Sequence, residues 1–233
     1  MNKSVLQILK EINKITDSVI LKYPITYAAS ESNDIKVMVN LGNLDENAFP
    51  DIGLLNSLKS YLSLYDLFSD ERKVTYENDT INITDGDLSS SFISSSLILM
   101  DAFNLDSDQF DKVSSAPSVL EFTLSVDDIN KLNKAAGTFK DLNEVIITSI
   151  DSESSISLGA IGKFNAKNNN FKIKKPEKST KDFTIRIAME NFERLPVSEY
   201  SVKIKYNAAK DSYRLLLESN KIQDFKIILL TKI

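Results

Sequence analysis

The chain has 233 residues, of which 42% are hydrophobic and 26% are charged, and its formal net charge at pH 7 is −5. It contains no cysteine, histidine or tryptophan, which excludes disulfides, thiol nucleophiles, Ser-His-Asp triads and zinc sites built on Cys or His. The six glycines and the acidic residues are scattered, without the spacing of a phosphate loop or a calcium loop. We therefore expect no enzyme activity and no cofactor.

The hydrophobic residues form no membrane-spanning or secretory segment. No apolar run approaches the roughly 18 residues that cross a bilayer, and the first residues lack the pattern of a secretory signal. These features predict a cytoplasmic protein with no membrane partner. The length allows one large domain or two of about 110 residues each.

The first half of the chain opens with a helical pattern over residues 3–20. Its apolar residues recur every three or four positions, as on the packed face of an amphipathic helix: Val5, Ile8, Leu9, Ile12, Ile15 and Val19. A strand, a second helix and three further strands are predicted after it, over residues 35–39, 53–68, 73–77, 80–84 and 88–97. Residues 78–79 form the tight turn of a hairpin in this prediction.

The order of elements starts again after residues 104–117, which lack periodicity and are typical of a connector. A strand at 121–124 leads into a helix that begins at the N-cap Ser125 and ends at Gly137. A short helical turn at 189–195 lies among the remaining strands, predicted over residues 144–150, 155–161, 171–174, 182–188, 200–206, 212–218 and 224–230. Two similar domains follow from this repetition, residues 1–103 and 118–233, each with two helices packed on antiparallel β-sheet, in an α+β fold.

The lysines of the predicted helices lie opposite their apolar stripes. An ordinary solvated helix face has the same appearance. If all four helices faced one surface, however, this acidic protein would have a basic wall that contacts phosphates without reading bases. The candidate phosphate contacts are Lys3, Lys10, Lys14, Lys59, Lys131, Lys134, Lys140 and Arg194.

Three apolar residues interrupt the polar connector, namely Leu105, Phe110 and Val113. In one interpretation they anchor the connector onto a sheet. In the other they line a partner-peptide pocket together with Ile228 and Leu230 of the last strand. The sequence leaves both interpretations open.

Three stretches of the sequence, taken in order, resemble a known family. Residues 8–22 (ILKEINKITDSVILK) resemble the first helix and following strand of T-even-phage sliding clamps. Residues 124–137 (LSVDDINKLNKAAG) are similar to the helix that opens the second domain of those clamps. Residues 188–206 (AMENFERLPVSEYSVKIKY) resemble a late arrangement of the family, here formed by Met189, Asn191, Pro196 and Tyr200.

The resemblance implies a DNA-clamp fold and a homotrimeric ring with helices inside and sheets outside. The lysine faces would then line the hole and attract double-stranded DNA without sequence preference. The resemblance also implies a DNA polymerase and an ATP-dependent clamp loader as partners, a role as processivity factor in DNA replication and in late transcription, and the cytoplasm of the infected bacterial host as location.

A ring-forming subunit needs a head-to-tail contact between two different surfaces. The strand edges that we predict for it are residues 88–97 of one subunit and 157–174 of its neighbour. Two other functions stay open from the sequence. One is a phage structural or assembly protein with a two-domain β-rich fold, and the other is a monomeric single-strand binder.

Overall fold

The computed structural model describes residues 3–43, 51–77, 79–96, 107–160 and 171–232. The chain divides into two compact units, Met1–Asp106 (unit 1) and Ser107–Ile233 (unit 2). The division falls inside the stretch predicted as a connector. No helix among the described residues is long and apolar enough to cross a membrane.

Unit 1 consists of helices packed on two antiparallel sheets. The strand orders are β3-β2-β1-β4 and β5-β6-β7. The elements are α1 (Lys3–Ile15), β1 (Val19–Leu21), β2 (Ile25–Ala29), β3 (Ile35–Asn40), β4 (Ile52–Leu54), α2 (Leu58–Tyr65), β5 (Lys73–Glu77), β6 (Thr80–Asp85) and β7 (Leu88–Ile93).

Unit 2 has the same kind of architecture. Its sheets have the strand orders β11-β10-β9-β12 and β8-β13-β14-β15. The elements are α3 (Ser107–Ser115), β8 (Ser118–Leu124), α4 (Val126–Thr138), β9 (Glu144–Ile150), β10 (Glu153–Gly159), β11 (Lys172–Lys175), β12 (Phe183–Ala188), α5 (Met189–Glu193), β13 (Tyr200–Asn207), β14 (Ser212–Ser219) and β15 (Phe225–Leu230).

The two units repeat one topology. From α1 to β7 and from α4 to β15, a helix is followed by four strands, a second helix and three strands. The order of the first four strands is also the same, since β3-β2-β1-β4 corresponds to β11-β10-β9-β12. Unit 2 adds β8 at the edge of its second sheet. The α+β prediction is confirmed, because few helices pack on antiparallel sheets.

The helices form where the sequence carries local signals for them. The apolar stripe of α1 is buried, with Val5, Leu9 and Ile12 fully inaccessible. A capping box begins α4: the Ser125 side chain accepts from the Asp128 N–H and the Asp128 carboxylate accepts from the Ser125 N–H, both at 3.1 Å. The predicted N-cap is confirmed, although α4 continues past Gly137 to Thr138.

Three predicted elements differ from the structure in kind over part of their length, while others differ only in their bounds. The first helix ends at Ile15 instead of residue 20, because Val19–Leu21 is strand β1, paired on both sides with β2 and β4. The second helix begins at Leu58 instead of residue 53, because Ile52–Leu54 is strand β4. The connector contains the helix α3, where the loss of periodicity had predicted a loop. In each case tertiary pairing or packing overrides the local pattern.

Candidate nucleic-acid interface and partner cleft

Lys3 and Lys10 of α1 extend to the surface, and each pairs with an aspartate that follows α2. The Lys10 Nζ is 3.0 Å from both carboxylate oxygens of Asp66, and the Lys3 Nζ is 2.8 Å from Oδ2 of Asp70. The hydrogen bond from Lys3 holds the pKa of Asp70 below its ordinary value. Part of the positive charge of α1 is therefore neutralised from within unit 1.

Arg72 lies beside these lysines and was missed by the sequence analysis. It helps to line a depression of about 350 Å³ that also contains Lys3 and Lys10. Its guanidinium lies 3.8 Å from the centre of the Tyr65 ring, and its Nη1 donates to the carbonyl oxygen of Phe68 at 2.6 Å. The sequence did not predict a role for Arg72, because its contacts with Tyr65 and Phe68 form only when the chain after α2 folds back.

Three further candidate cations, which lie on a helix or directly after it, pair with a carboxylate one turn earlier in the chain. The pairs are Lys14–Glu11, Lys131–Asp127 and Arg194–Glu190. The hydrogen bond to Asp127 raises the pKa of Lys131. The carboxylates of the Lys131 and Arg194 pairs are exposed, and exposed pairs contribute roughly 0–1 kcal/mol, so these two cations can exchange a carboxylate for a phosphate. Lys14 is half-exposed, but its partner Glu11 is buried.

Lys59, Lys134 and Lys140 are exposed and form no ion pair with any residue that the structure describes. Lys59 lies in the first turn of α2, and its backbone N–H donates to the Asp17 carboxylate. Lys134 lies on α4, and Lys140 lies in the turn that follows it. These three carry the charge that is most available to an external anion. All eight predicted phosphate contacts are exposed or half-exposed, and their role stays a prediction.

A cleft of about 260 Å³ lies in unit 2 between α3 and the β13–β14 hairpin. Its apolar part includes Val113 and Ala116, and four basic side chains line the remainder: Lys112, Lys205, Lys210 and Arg214. Lys205 fixes one wall, since its Nζ donates to the carbonyl oxygens of Ser114 at 2.9 Å and Ala116 at 2.8 Å. The cleft therefore depends on a buried lysine that holds the end of α3 in place.

The predicted partner pocket is corrected by this geometry. Phe110 and Ile228 are only 1% and 2% exposed, so they belong to the core of unit 2 and are inaccessible to a peptide. Val113 does line the cleft, whereas Leu230 is half-buried on β15 and is not among the residues that line it. Leu105 lies outside the described residues. Alternation along the last strand could not show that three successive residues, 227–229, are all buried.

We expect Lys205→Met to destabilise unit 2 by about 1–3 kcal/mol, because two carbonyl groups lose a charged donor in a site that is 7% exposed. Urea unfolding followed by circular dichroism measures the change. Lys203→Met is the matched control on the same strand. Its pair with Glu218, at 2.7 Å, is more exposed, so a loss of only about 0–1 kcal/mol is expected. Equal losses in the two variants would contradict the anchoring role of Lys205.

The described residues offer no metal site, since no group of three acidic side chains lies close enough together to hold an ion. The arrangement consists instead of helix-borne surface cations in both units and a basic, partly apolar cleft beside α3.

Comparison with solved structures finds sliding clamps. A putative DNA polymerase III beta subunit from Eubacterium rectale matches with a TM-score of 0.62 and 10% identity, over 97% of this chain and 64% of that one. A chain of the PCNA2-PCNA3 complex from Sulfolobus tokodaii matches with a TM-score of 0.60 and 10% identity, over 98% and 96%. The A. fulgidus PCNA bound to the C-terminal region of FEN-1 matches with a TM-score of 0.57 and 12% identity, over 100% and 97%.

These matches show that the chain has the sliding-clamp fold. It spans less than two thirds of the Eubacterium rectale protein and nearly the whole length of the two archaeal chains. Neither the protein-family models nor the curated protein sequences contain a match. At 10–12% identity the structural likeness establishes the fold, and function has to be argued from the chain's own surfaces.

Proposed function

We propose that this chain is a sliding clamp, a ring subunit that encircles double-stranded DNA and tethers the replicative DNA polymerase for processive synthesis. The observation that carries the proposal is the sliding-clamp fold over 97–100% of the chain. Both units of this acidic protein also present exposed cations on or beside their helices. A protein that encloses DNA needs only loose, nonspecific attraction to phosphates, which lets it slide.

The proposal includes a phage of the T-even type, an ATP-dependent loader and a role in late transcription, all supported by the resemblance of three sequence segments. It places the protein in the cytoplasm of the infected bacterial host. The polymerase is proposed to insert a hydrophobic tail peptide into the cleft beside α3. Val113 and Ala116 would give that peptide an apolar contact.

The proposed assembly is a closed homotrimer in which the edge of β7 joins the edge of β11 of the next copy. Strand β7 is a terminal strand of the sheet β5-β6-β7, and β11 is a terminal strand of the sheet β11-β10-β9-β12. Strand β7 also exposes two large apolar side chains, Leu88 at 60% and Ile93 at 79%. Unpaired edges of this kind are usually covered or used.

We expect light scattering to give a mass of about 78 kDa, three times the 26.1 kDa of one chain. The reason is that a heterologous contact leaves free ends until it closes into a ring. The measurement is made over a dilution series, since a ring of weak contacts dissociates when diluted. A monomeric mass throughout the series, at every concentration reached, would contradict the ring.

The ion pairs of Lys3 with Asp70 and of Lys10 with Asp66 should weaken the binding of duplex DNA. Asp66→Asn with Asp70→Asn should raise the affinity for duplex DNA by about two- to tenfold at low salt, because Lys10 and Lys3 no longer exchange a carboxylate for a phosphate. Fluorescence anisotropy of a labelled duplex measures the change. Glu31→Gln with Asp34→Asn is the control, since it changes the net charge equally in the β2–β3 turn. An equal rise in the control would show that only net charge matters.

A further inference from the structure

The outward side of β11 is basic. Lys172 and Lys174 are exposed while Ile173 and Lys175 between and after them are half-buried, and Lys178 continues the exposed side beyond the strand. Lys172, Lys174 and Lys178 form no ion pair with a described residue. Glu153 is the one carboxylate among the residues that line the depression along this edge. Three lysines on and just beyond the terminal strand β11 thus have positive charge that no described carboxylate pairs with.

Lys175 keeps this edge in a fixed position. Its Nζ donates to Oδ2 of Asp128 and to the carbonyl oxygen of Thr123, both at 2.7 Å. This ion pair is largely buried, with side-chain exposures of 11% and 13%. Strand β11 is therefore anchored to the start of α4 through Lys175. Its other two lysines, Lys172 and Lys174, are exposed to solvent on this anchored strand.

The edge of β7 has the opposite charge at both ends. Asp85 is the last residue of β6, and Asp87 lies in the turn between β6 and β7. Asp79 lies at the other end, where its carbonyl oxygen accepts from the N–H of Ser94 at 2.7 Å. Asp87 and Asp79 are exposed. Strands β5, β6 and β7 contain one basic residue, Lys73, which lies on β5 at the opposite edge of the sheet.

We infer that the contact between copies of this chain is electrostatic as well as edge-to-edge, with the lysines of β11 in one copy facing the aspartates around β7 in the next. Carboxylates at both ends of β7 make this complementarity independent of whether the two strands run parallel or antiparallel. The partner is a second copy because both complementary edges belong to one chain, as a head-to-tail contact requires. The inference rests on the proposed ring and specifies what holds it together.

The variant Lys172→Glu with Lys174→Glu tests this contact. We expect the concentration at which the trimer half-dissociates to rise at least about tenfold, because like charges then face each other across the contact. For the unchanged protein, raising NaCl from about 0.1 M to about 1 M should also promote dissociation, since the Debye length falls from ~10 Å to ~3 Å. Analytical ultracentrifugation measures both effects, and circular dichroism verifies that the variant is folded.

Two further variants make the test specific. Lys22→Glu with Lys221→Glu changes the net charge by the same amount at exposed lysines away from both edges, and its ring should keep the dissociation midpoint of the unchanged protein. Adding Asp79→Lys and Asp87→Lys to the β11 variant restores opposite charges at every contact of a trimer, so the ring should re-form.

Three results would overturn the inference. In the first, the β11 variant and the Lys22/Lys221 control dissociate equally, which means that general repulsion is responsible. In the second, the β11 variant stays trimeric but loses affinity for DNA, which makes its lysines DNA contacts; the ring then stands without this contact. In the third, the unchanged protein is monomeric at every salt concentration, which removes the proposed ring together with the inference.

Discussion

We expect the ring to dissociate from a nicked circular plasmid at least about tenfold more slowly than it dissociates from the same plasmid after linearisation. On a circle, release requires a subunit contact to open, whereas on linear DNA the ring slides off a free end. The electrostatic attraction to phosphates is the same in both cases, since the two molecules have the same sequence and charge. Any difference between the lifetimes of the two complexes therefore comes from the topology of the DNA, circular or linear.

The measurement uses the absence of cysteine from the chain, which allows one engineered cysteine to carry a fluorophore. Complexes are isolated by gel filtration at a constant ionic strength of about 0.1 M, where the Debye length is ~10 Å, and a restriction enzyme then cuts the plasmid. Salt is held constant because the proposed ring contact is itself salt-sensitive. A blocked-end linear plasmid serves as control and should retain the ring. Equal lifetimes on circular and open linear DNA would show ordinary electrostatic binding and would remove the clamp function.

Reversal of Lys134 and Lys140 to Glu is expected to weaken association with duplex DNA by about two orders of magnitude at low salt. These residues are exposed and unpaired among the described residues, so their whole charge is available to phosphates. A trimer loses up to six cations, and the slope of log K against log salt should become shallower by up to about 5. The melting temperature should hardly change, because exposed charges contribute roughly 0–1 kcal/mol to folding.

The control for this reversal is again Lys22→Glu with Lys221→Glu, which gives the subunit the same net charge. Its slope should stay that of the unchanged protein, and its affinity should fall much less. Anisotropy titrations at several salt concentrations give both quantities. If the two double variants lose affinity to the same extent, the cations on and after α4 have no special position relative to DNA. A large fall in melting temperature would instead assign Lys134 or Lys140 a structural role.

Local patterns in the sequence determined much of the fold. The buried stripe of α1, the capping box at Ser125 and the alternation in β9 and β13 each depend on residues within a few positions of one another. A period of 3.6 or 2 shows which side of an element is apolar. For the same reason the sequence placed the candidate lysines of α1 and α4 on the exposed sides of their helices.

The tertiary structure alone decided how those exposed residues are paired. Asp66 and Asp70 are 56 and 67 positions away from Lys10 and Lys3, and only the folding of α2 against α1 brings them together. A period reports the apolar side of an element but not the neighbour that covers it. That is why Val19 and Ile20 were predicted at the end of a helix yet lie in strand β1, and why Ile228 was expected in a cleft yet lies in the core.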